Sequence, residues 1–476
     1  MKKFVKNFSL YMFPEIIINA LPFITLPITT RYFGLEEFGL IALFNLCQVP
    51  FTVLCEYGVG YVIGSLWFDL KKDEQKQLLF TLLFIGAVMA IGSIIVMFPF
   101  YKWVFTLMAS DSAPIIIVLF PWMALMVVMN RITPVFSNWI VLTEKAVLFS
   151  KIKLFEIFLT TIIYVGLIVY TQNVKFVIIG SSITCSIINA IKLFILTPYL
   201  TVSFKKYFYI ETIKIGYPLT LRALFNLTRT KIDKFVISGL YTIQMFALYN
   251  WALRLYSMFA TVEGHFSKVY SPKLLQALSK GNKDFSKFRQ MFFAWFYVVF
   301  CGCICFYFIG ESFITWLSNG VYTDAYRIIL YLSCFILADA GLSGVFTGIL
   351  YHKCTKYFLL SSIVSGCTCM GLSILLIPKF GLVGGVLSLG SVTIVTGIMG
   401  IIKRKLLNLP VFIEFISLPY ICMFAVCILL SQIYTFKLDG ILCCLTLVLS
   451  IHVSQVTRLL PKLKEKLVKK NILIGR

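Results

Sequence analysis

Polar residues line one side of a single predicted helix near the middle of an otherwise apolar chain. When successive residues are placed 100° apart, five of them share a sector of roughly 80°: Pro218, Arg222, Asn226, Arg229 and Asp233. Arginine stays charged at any biological pH, and its planar guanidinium matches the oxygen geometry of phosphates and carboxylates. This polar stripe therefore predicts a binding surface for an anion.

Two further arginines, Arg131 and Arg254, also lie inside apolar segments. Exposing a guanidinium to lipid at mid-membrane costs at least about 2.5–3.5 kcal/mol, so such side chains are expected to face protein or a wet cavity. We predict a cation-lined cavity for an anionic substrate, with these binding residues: Arg222, Arg229, Arg131, Arg254 and Asn226. A structural ion pair inside the helix bundle is the alternative for any one of them.

Acidic residues inside apolar segments are candidates for carrying a coupling ion or proton, because burial favours the uncharged form of a carboxylate. These candidates are Glu15, Glu56, Asp233 and Asp339. Glu156 lies in an apolar segment as well, where pairing with a neighbouring charge is an alternative. Lys231 and Lys234 lie off the polar stripe, and we predict that they reach water at the outer edge of the membrane.

The residue types and loop lengths argue against catalysis. The chain has three histidines, none near another, which disfavours a histidine metal site. No glycine-rich phosphate loop with a lysine occurs, so no nucleotide-driven motor is predicted. Because no connection between apolar segments is long enough to hold a catalytic domain, we predict that the protein is not an enzyme and uses neither a metal nor a cofactor.

The composition is that of an integral membrane protein. Of the 476 residues, 59% are hydrophobic and 13% are charged, which is more apolar surface than a water-soluble core can bury. The formal net charge of +23 could suggest nucleic-acid binding, but the basic residues form short clusters between apolar segments. Such clusters are typical of cytoplasmic loops, so no nucleic-acid partner is predicted.

Apolar stretches of roughly 20 residues, each long enough to cross a ~30 Å hydrocarbon layer as a helix, recur along the chain. We predict about 14 such spans, at residues 9–31, 38–63, 78–101, 114–138, 147–170, 174–197, 212–238, 241–263, 290–314, 327–350, 357–377, 381–402, 411–434 and 440–458. Lys and Arg are concentrated in every second connection, which places both termini in the cytoplasm. The longest connection, 264–290, is predicted to be a basic cytoplasmic surface helix or a solvated linker.

An internal repeat relates the two halves of the chain. A shift of 205 residues places Gly34-Leu35 on Gly239-Leu240 and the ALFN sequence at 42–45 on the ALYN sequence at 247–250. With six spans per copy, both copies enter the membrane in the same direction, and two lobes face each other across a cavity. We predict an all-α membrane protein with a six-helix lobe at 1–204, a pseudo-symmetric six-helix lobe at 205–406, and two extra helices with a basic cytoplasmic tail at 407–476.

Two segments resemble a known family. Residues 21–46 carry a TRxxGxxxFG core at Thr30, Arg31, Gly34, Phe38 and Gly39, and residues 217–255 carry Asp233-Lys234 followed by the stretch from Tyr249 to Ala252. Both segments resemble the polysaccharide transporter family, the O-antigen flippases (Wzx) of the MATE-like superfamily. In relatives the basic residue after the aspartate is often arginine, so Lys234 keeps the charge without the planar fork.

The resemblance implies a MATE-like fold and a function in the bacterial inner membrane. A member of this family flips an undecaprenyl-pyrophosphate-linked oligosaccharide to the outer leaflet for O-antigen or capsule synthesis, by alternating access of the two lobes. The implied partners are the polyprenyl-pyrophosphate-linked oligosaccharide, membrane lipid, a polysaccharide polymerase and a chain-length regulator.

Three alternatives have distinct signatures. A multidrug exporter of organic cations with the same fold would line its cavity with acidic residues, whereas arginine outweighs them in the central spans. A membrane polysaccharide polymerase would carry a long outer loop with catalytic or sugar-binding residues, and every predicted outer loop is short. A flippase for a peptidoglycan precursor would share the fold and differ only in its cargo.

Overall fold

The computed structural model describes residues 24–407 except 57–61, 64–65, 110–112, 204, 280–284, 343–344, 346–348 and 350–354, together with isolated positions within 13–21 and 417–428. Within these residues the secondary structure is helical and contains no strand. The predicted span 440–458 and the basic tail lie outside the described residues.

A helical segment at residues 24–32 precedes α1. The described helices that follow are numbered here in chain order. They are α1 (Leu35–Glu56), α2 (Lys72–Met97), α3 (Tyr101–Ala109), α4 (Ala113–Val118), α5 (Phe120–Met129), α6 (Ile132–Leu142), α7 (Ala146–Thr171), α8 (Val174–Leu196), α9 (Lys206–Leu240), α10 (Ile243–Ser279), α11 (Ser286–Ser318), α12 (Ala325–Gly341) and α13 (Thr355–Leu406).

Several of these helices have the length and composition of membrane spans. Within the described part of the chain there are six such stretches: Lys72–Met97, Phe120–Leu142, Ala146–Thr171, Val174–Tyr199, Ser286–Ser318 and Leu359–Leu406. Each overlaps a predicted span, and the last covers two of them. The prediction of a multi-pass helical membrane protein is therefore confirmed.

The region from residue 101 to 142 differs from the predicted loop followed by one unbroken span. A short helix, α3, lies in the predicted outer loop, and the predicted span 114–138 is divided into α4, α5 and α6. One break falls at Leu119, two residues before Pro121 in the first turn of α5. Proline has no backbone N–H and cannot continue the hydrogen-bond ladder of the preceding helix, so a new helix starts there.

Helix α13 contains the two predicted spans 357–377 and 381–402, joined at a sharp bend. Gly381 at the bend has φ 60° and ψ −136°, a conformation that residues with a Cβ rarely adopt. The glycines that follow allow close helix packing, as Gly385 shows. A Cβ built there would lie 2.8 Å from the Ile237 side chain of α9.

Of the two alternatives predicted for residues 264–290, a surface helix or a solvated linker, the described residues 264–279 are helical and therefore exclude the linker there. Helix α10 continues without interruption from Ile243 to Ser279, and it packs on α11. The ring of Phe266 stacks on Trp295 with centroids 4.5 Å apart, and Tyr270 meets Phe292 edge-on at 4.7 Å. These buried aromatic contacts extend the helix beyond the predicted span, because they supply packing that hydropathy alone does not detect.

The two copies of the repeat contact each other at one end of the molecule. The charge distribution predicts that this end faces the outer side of the membrane, opposite the cytoplasm. The Tyr322 hydroxyl donates to the Gly34 carbonyl at 3.2 Å, and the Thr30 hydroxyl donates to the Leu317 carbonyl at 3.3 Å. Gly39 of α1 approaches α10 so closely that a Cβ there would lie 2.6 Å from the Ile243 carbonyl oxygen. We call these contacts the outer contact.

Candidate functional site

A cavity of about 440 Å³ lies between α1 of the first repeat and α9 and α10 of the second. Helix α1 supplies a mostly apolar wall, and the facing helices supply most of the polar groups. The polar lining includes Asn45, Thr230, Lys231, Lys234, Asn250 and Arg254. Because its walls come from both halves of the predicted repeat, we call this space the interlobe cavity.

The interlobe cavity is lined by three cations. Lys231 and Lys234 come from α9 and Arg254 comes from α10, and none of the described residues lining the cavity is acidic. Helical spacing explains the arrangement, since residues one and four positions after Thr230 share one face of α9. On α10, Asn250, Arg254 and Ser257 recur at intervals of four and three for the same reason.

A buried carboxylate holds one of these cations in place. Asp233 is fully buried, and its Oδ2 lies 3.4 Å from Nζ of Lys234. The same oxygen accepts a 2.6 Å hydrogen bond from the Tyr249 hydroxyl, and Lys234 also donates to the Thr230 carbonyl at 3.1 Å. The pair fixes the Lys234 side chain, and Asp233 compensates its charge. The positive charge that these contacts leave uncompensated in the cavity is that of Lys231 and Arg254.

Two asparagines related by the internal repeat lie on opposite walls of the interlobe cavity. Asn45 is on α1, Asn250 is on α10, and both line the cavity; they correspond under the shift of 205 residues. Each amide offers donors and an acceptor. Together with the cations they form a site that can bind phosphate oxygens and neutral hydroxyl groups at once.

The structure separates the predicted arginines. Arg254 lines the interlobe cavity. Arg229 lies where α9 packs on α13, since a Cβ built at Gly366 would lie 3.9 Å from the Arg229 backbone nitrogen. Arg131 is buried between α5 and α6, and it donates from Nε to the Val127 carbonyl and from Nη1 to the Thr52 carbonyl, each at 3.2 Å.

The remaining predicted residues are spread over the chain. Asn226 is exposed on α9. Asp339 is partly buried on α12 and is not among the residues that line the interlobe cavity. The side chains of Arg222, within α9, and of Glu56, the last residue of α1, lie outside the described part of the structure, as does the whole of Glu15.

Sequence reasoning missed two of the three cavity cations. Lys231 and Lys234 were predicted to reach water at the outer membrane edge, whereas they line the interlobe cavity instead. The helical wheel identified which residues share a face, but it does not say which face meets the other lobe. The signal that was available is the adjacent acid: an Asp beside a Lys inside an apolar span indicates a buried pair.

The contacts of Arg131 predict a structural role that can be separated from binding. We expect Arg131→Ala to lower the apparent melting temperature of the purified protein, because it empties a buried site and removes the link between α5 and the Thr52 carbonyl of α1. The matched variant Arg254→Ala, at a partly exposed cavity wall, should leave the melting temperature nearly unchanged. Equal melting temperatures for the two variants would contradict the structural role.

The sequence matches one family and one segment of a curated relative. A family described as "Polysaccharide biosynthesis protein" matches residues 28–339. The capsular polysaccharide biosynthesis protein CapF of Staphylococcus aureus is 29% identical over 180 residues, which is 36% of this chain and 44% of CapF. The match thus spans less than half of that relative's length.

The fold is similar to solved transporters. The lipid II flippase MurJ in an inward closed conformation superposes with a TM-score of 0.67 over 93% of this chain and 100% of MurJ, at 15% identity. An inward-facing multidrug resistance MATE family transporter of the MOP superfamily gives a TM-score of 0.60 over 84% of this chain and 97% of its own, at 13% identity. At these identities the likeness shows a common MATE-like fold and nothing about cargo.

Proposed function

The chain belongs to the polysaccharide biosynthesis protein family, and from that premise we propose that it is a flippase for a lipid-linked oligosaccharide. Its cargo is an undecaprenyl-pyrophosphate-linked repeat unit, which it moves from the inner to the outer leaflet of the bacterial inner membrane for O-antigen or capsule synthesis. It acts as a transporter and makes or breaks no covalent bond of the cargo.

The observation that carries this proposal is the cationic lining of the interlobe cavity. Lys231, Lys234 and Arg254 converge between the lobes, with no acidic residue among the described lining. A pyrophosphate diester carries two negative charges on closely spaced oxygens, which suit charge-assisted hydrogen bonds from such groups. Moving this headgroup through a membrane requires that its charge be compensated throughout, and the cavity provides that compensation between the lobes.

Alternating access supplies the movement. In the structure described, the lobes touch through Tyr322, Thr30 and Gly39 at the predicted outer end. The headgroup enters from the cytoplasmic leaflet while the polyprenyl tail stays in the bilayer. The outer contact then parts, and the cavity opens to the opposite leaflet.

The proposed topology has about 14 spans with both termini in the cytoplasm. The first lobe comprises residues 1–204, the second comprises 205–406, and residues 407–476 add two helices and a basic tail. The clusters of Lys and Arg between alternate spans support this orientation. A polysaccharide polymerase and a chain-length regulator are the proposed partners that receive the exported units.

Several predicted residues keep a proposed role beside the three cavity cations. Arg222, Arg229 and Asn226 lie along α9 and are proposed to guide the anionic headgroup to the cavity, whereas Arg131 is proposed to hold α5 against α1 through the Val127 and Thr52 carbonyls. Among the coupling candidates Asp233 has the strongest support. It is fully buried, and its Oδ1 has no hydrogen-bond partner among the described residues, so that oxygen is available to a cation or a proton.

Glu15, Glu56 and Asp339 remain the other proposed coupling residues, because each lies in an apolar segment.

The lining of the interlobe cavity also argues against the rival function as an exporter of organic cations. Three positive side chains would repel such a cargo. A peptidoglycan precursor shares the pyrophosphate, so the sugar-binding groups and not the cations would distinguish it from the proposed cargo.

The test is the leaflet location of the lipid-linked saccharide in cells that lack this protein. A membrane-impermeant glycosidase or lectin applied to intact spheroplasts reaches only saccharide in the outer leaflet. We expect the saccharide to be protected in the deletion strain and accessible once the gene is restored. Single repeat units exposed on the outer face of the deletion strain would show that flipping occurs without this protein, and would favour the polymerase function instead.

A further inference from the structure

A polar network lies inside the first lobe, apart from the interlobe cavity and unused by the proposed mechanism. Helix α7 contributes Glu156, α6 contributes Thr133, and α8 contributes Asn189 and Lys192. Nζ of Lys192 lies 3.2 Å from Oε2 of Glu156 and donates to the Thr133 hydroxyl at 3.1 Å. The Thr133 hydroxyl in turn donates to Oδ1 of Asn189 at 2.7 Å.

The network continues deeper along α8. The Asn189 amide donates to Oδ1 of Asn130 at 3.2 Å, and the Cys185 thiol donates to the same oxygen at 3.1 Å. Lys192 and Cys185 are seven positions apart, which on a helix corresponds to roughly 10 Å. Hydrogen-bonded polar groups therefore extend about two turns into the lobe from a position one turn before the end of α8 at Leu196.

The charges of this network do not balance. The Glu156 carboxylate has two ammonium partners at 3.2 Å, Lys192 and Lys153. The charged and titratable groups that act on Lys192 are these two residues of α7 and the thiol of Cys185 on its own helix. From α6 it meets the neutral Thr133 hydroxyl, and the neutral Asn130 of the α5–α6 turn joins the network through Asn189. With both lysines protonated and Glu156 ionised, the network carries one excess positive charge.

Of the two lysines that share Glu156, Lys192 is the less accessible. The side chain of Lys192 is 3% exposed, whereas those of Glu156 and Lys153 are 22% and 31% exposed. An uncompensated charge in a low-dielectric interior is costly, and a buried ion pair is weak evidence for a stabilising role. If Lys192 loses its proton, Glu156 stays paired with Lys153, and the neutral amine still donates to the Thr133 hydroxyl. Both protonation states are thus accommodated by the same contacts.

We propose that Lys192 is a proton-carrying residue, which couples the arrangement of the two lobes to proton binding in the first lobe. On release, the N–H bond at Nζ breaks and its electron pair stays on nitrogen. The proton passes to Oε2 of Glu156 and from there to water at the partly exposed edge near Lys153. Proton affinity that differs between the two lobe arrangements then biases the equilibrium between them by the same free energy.

The test uses the full-length protein and a readout that needs no cargo. Spin labels on non-canonical amino acids at Tyr32 and Val321 report the separation of the lobes at the outer end, because both side chains are 42% exposed. The distance distribution is measured in detergent across about pH 6 to 10. In the otherwise unaltered protein we expect two populations that exchange with a single midpoint.

Two variants and one control identify the group responsible. Lys192→Arg keeps the ion pair but cannot lose its proton, so the distribution should stay in its acidic form at every pH. Lys192→Met mimics the neutral amine and should stay in the alkaline form. The control Lys151→Arg, at an exposed residue of α7 outside the network, should keep the midpoint within about half a pH unit. Lobes that do not respond to pH, or a midpoint that survives in Lys192→Arg, would overturn the proposal.

A second arm measures export of surface polysaccharide, and this arm alone rests on the proposed function. We expect at least a tenfold loss for Lys192→Arg and little change for Lys151→Arg. If the unaltered gene fails to change the leaflet location of the saccharide, the proposed function fails while the distance measurement still decides the role of Lys192. If Lys192→Met does not fold, the comparison of Lys192→Arg with Lys151→Arg is sufficient.

Discussion

Replacing Lys231, Lys234 and Arg254 together by glutamine is expected to reduce export of the lipid-linked saccharide at least ~100-fold. These three side chains are the cations that line the interlobe cavity, where Lys234 is paired with Asp233 and Lys231 and Arg254 carry the uncompensated charge. A hydrogen bond between charged groups contributes about 1.5–3 kcal/mol, and the loss of two already corresponds to a ~100-fold change. The measurement is surface polysaccharide per cell, normalised to the amount of protein in the membrane.

The control for this variant changes the net charge equally at sites outside the cavity. Lys206, Lys214 and Lys287 are exposed on α9 and α11, so their replacement by glutamine also removes three charges. We expect export within about twofold of the unaltered protein, because exposed charges contribute little to stability or to a distant site. Equal loss in both triple variants would assign the effect to net charge, and full export by the cavity variant would exclude the cations from binding.

Gly39→Val is expected to prevent closure at the outer end and to lower export at least tenfold. A Cβ at this position would lie 2.6 Å from the Ile243 carbonyl oxygen and 2.8 Å from its side chain. The backbone carbonyl of Ile243 cannot move without distorting α10. Overpacking of this kind costs about 1–3 kcal/mol, which is enough to shift the equilibrium between two lobe arrangements roughly tenfold or more. The lobe separation between Tyr32 and Val321 should increase in parallel.

The matched control is Gly92→Val in α2. Gly92 is also a helical glycine, but among the described residues no heavy atom outside its own helix turn lies within 4 Å of a Cβ built there. Both variants add the same β-branched side chain to a helix, so they share any loss of helix propensity. Normal export and an unchanged distance in Gly39→Val would refute the idea that this approach is required. Tyr322→Phe, which removes only the hydrogen bond to Gly34, should have a much smaller effect.

Much of the fold could be predicted because long apolar runs in a sequence indicate membrane-spanning helices. The six described stretches with spanning character all coincide with predicted spans. The exceptions have local causes that average hydropathy does not capture. Pro121 divides one predicted span, and Phe266 and Tyr270 extend α10 through packing on α11. A hydropathy window measures composition, whereas these features depend on a single missing N–H or on a specific neighbour.

The site was less predictable than the fold. The repeat led to the expectation of a cavity between two lobes, and Arg254 lies on its wall. Lys231 and Lys234 of α9 also line the cavity, which was not predicted, because the sequence states which residues align on a helix but not how that helix is rotated towards its partner. The network around Lys192 had only Glu156 as a signal, since its other members are distant in sequence and become neighbours only when α6, α7 and α8 pack together.

The uninterrupted length of α10 has a mechanical consequence. Its 37 residues correspond to roughly 55 Å, well beyond the ~30 Å hydrocarbon thickness. One end, Ile243, is held against Gly39, so the helix resembles a lever with its pivot at the predicted outer surface. A tilt of about 10° would displace the far tip by roughly 10 Å. A sub-ångström shift of α10 at Ile243 could thus open the cavity widely on the predicted cytoplasmic side. A protein bound to the far end of α10 would then respond to the side on which the cavity is open.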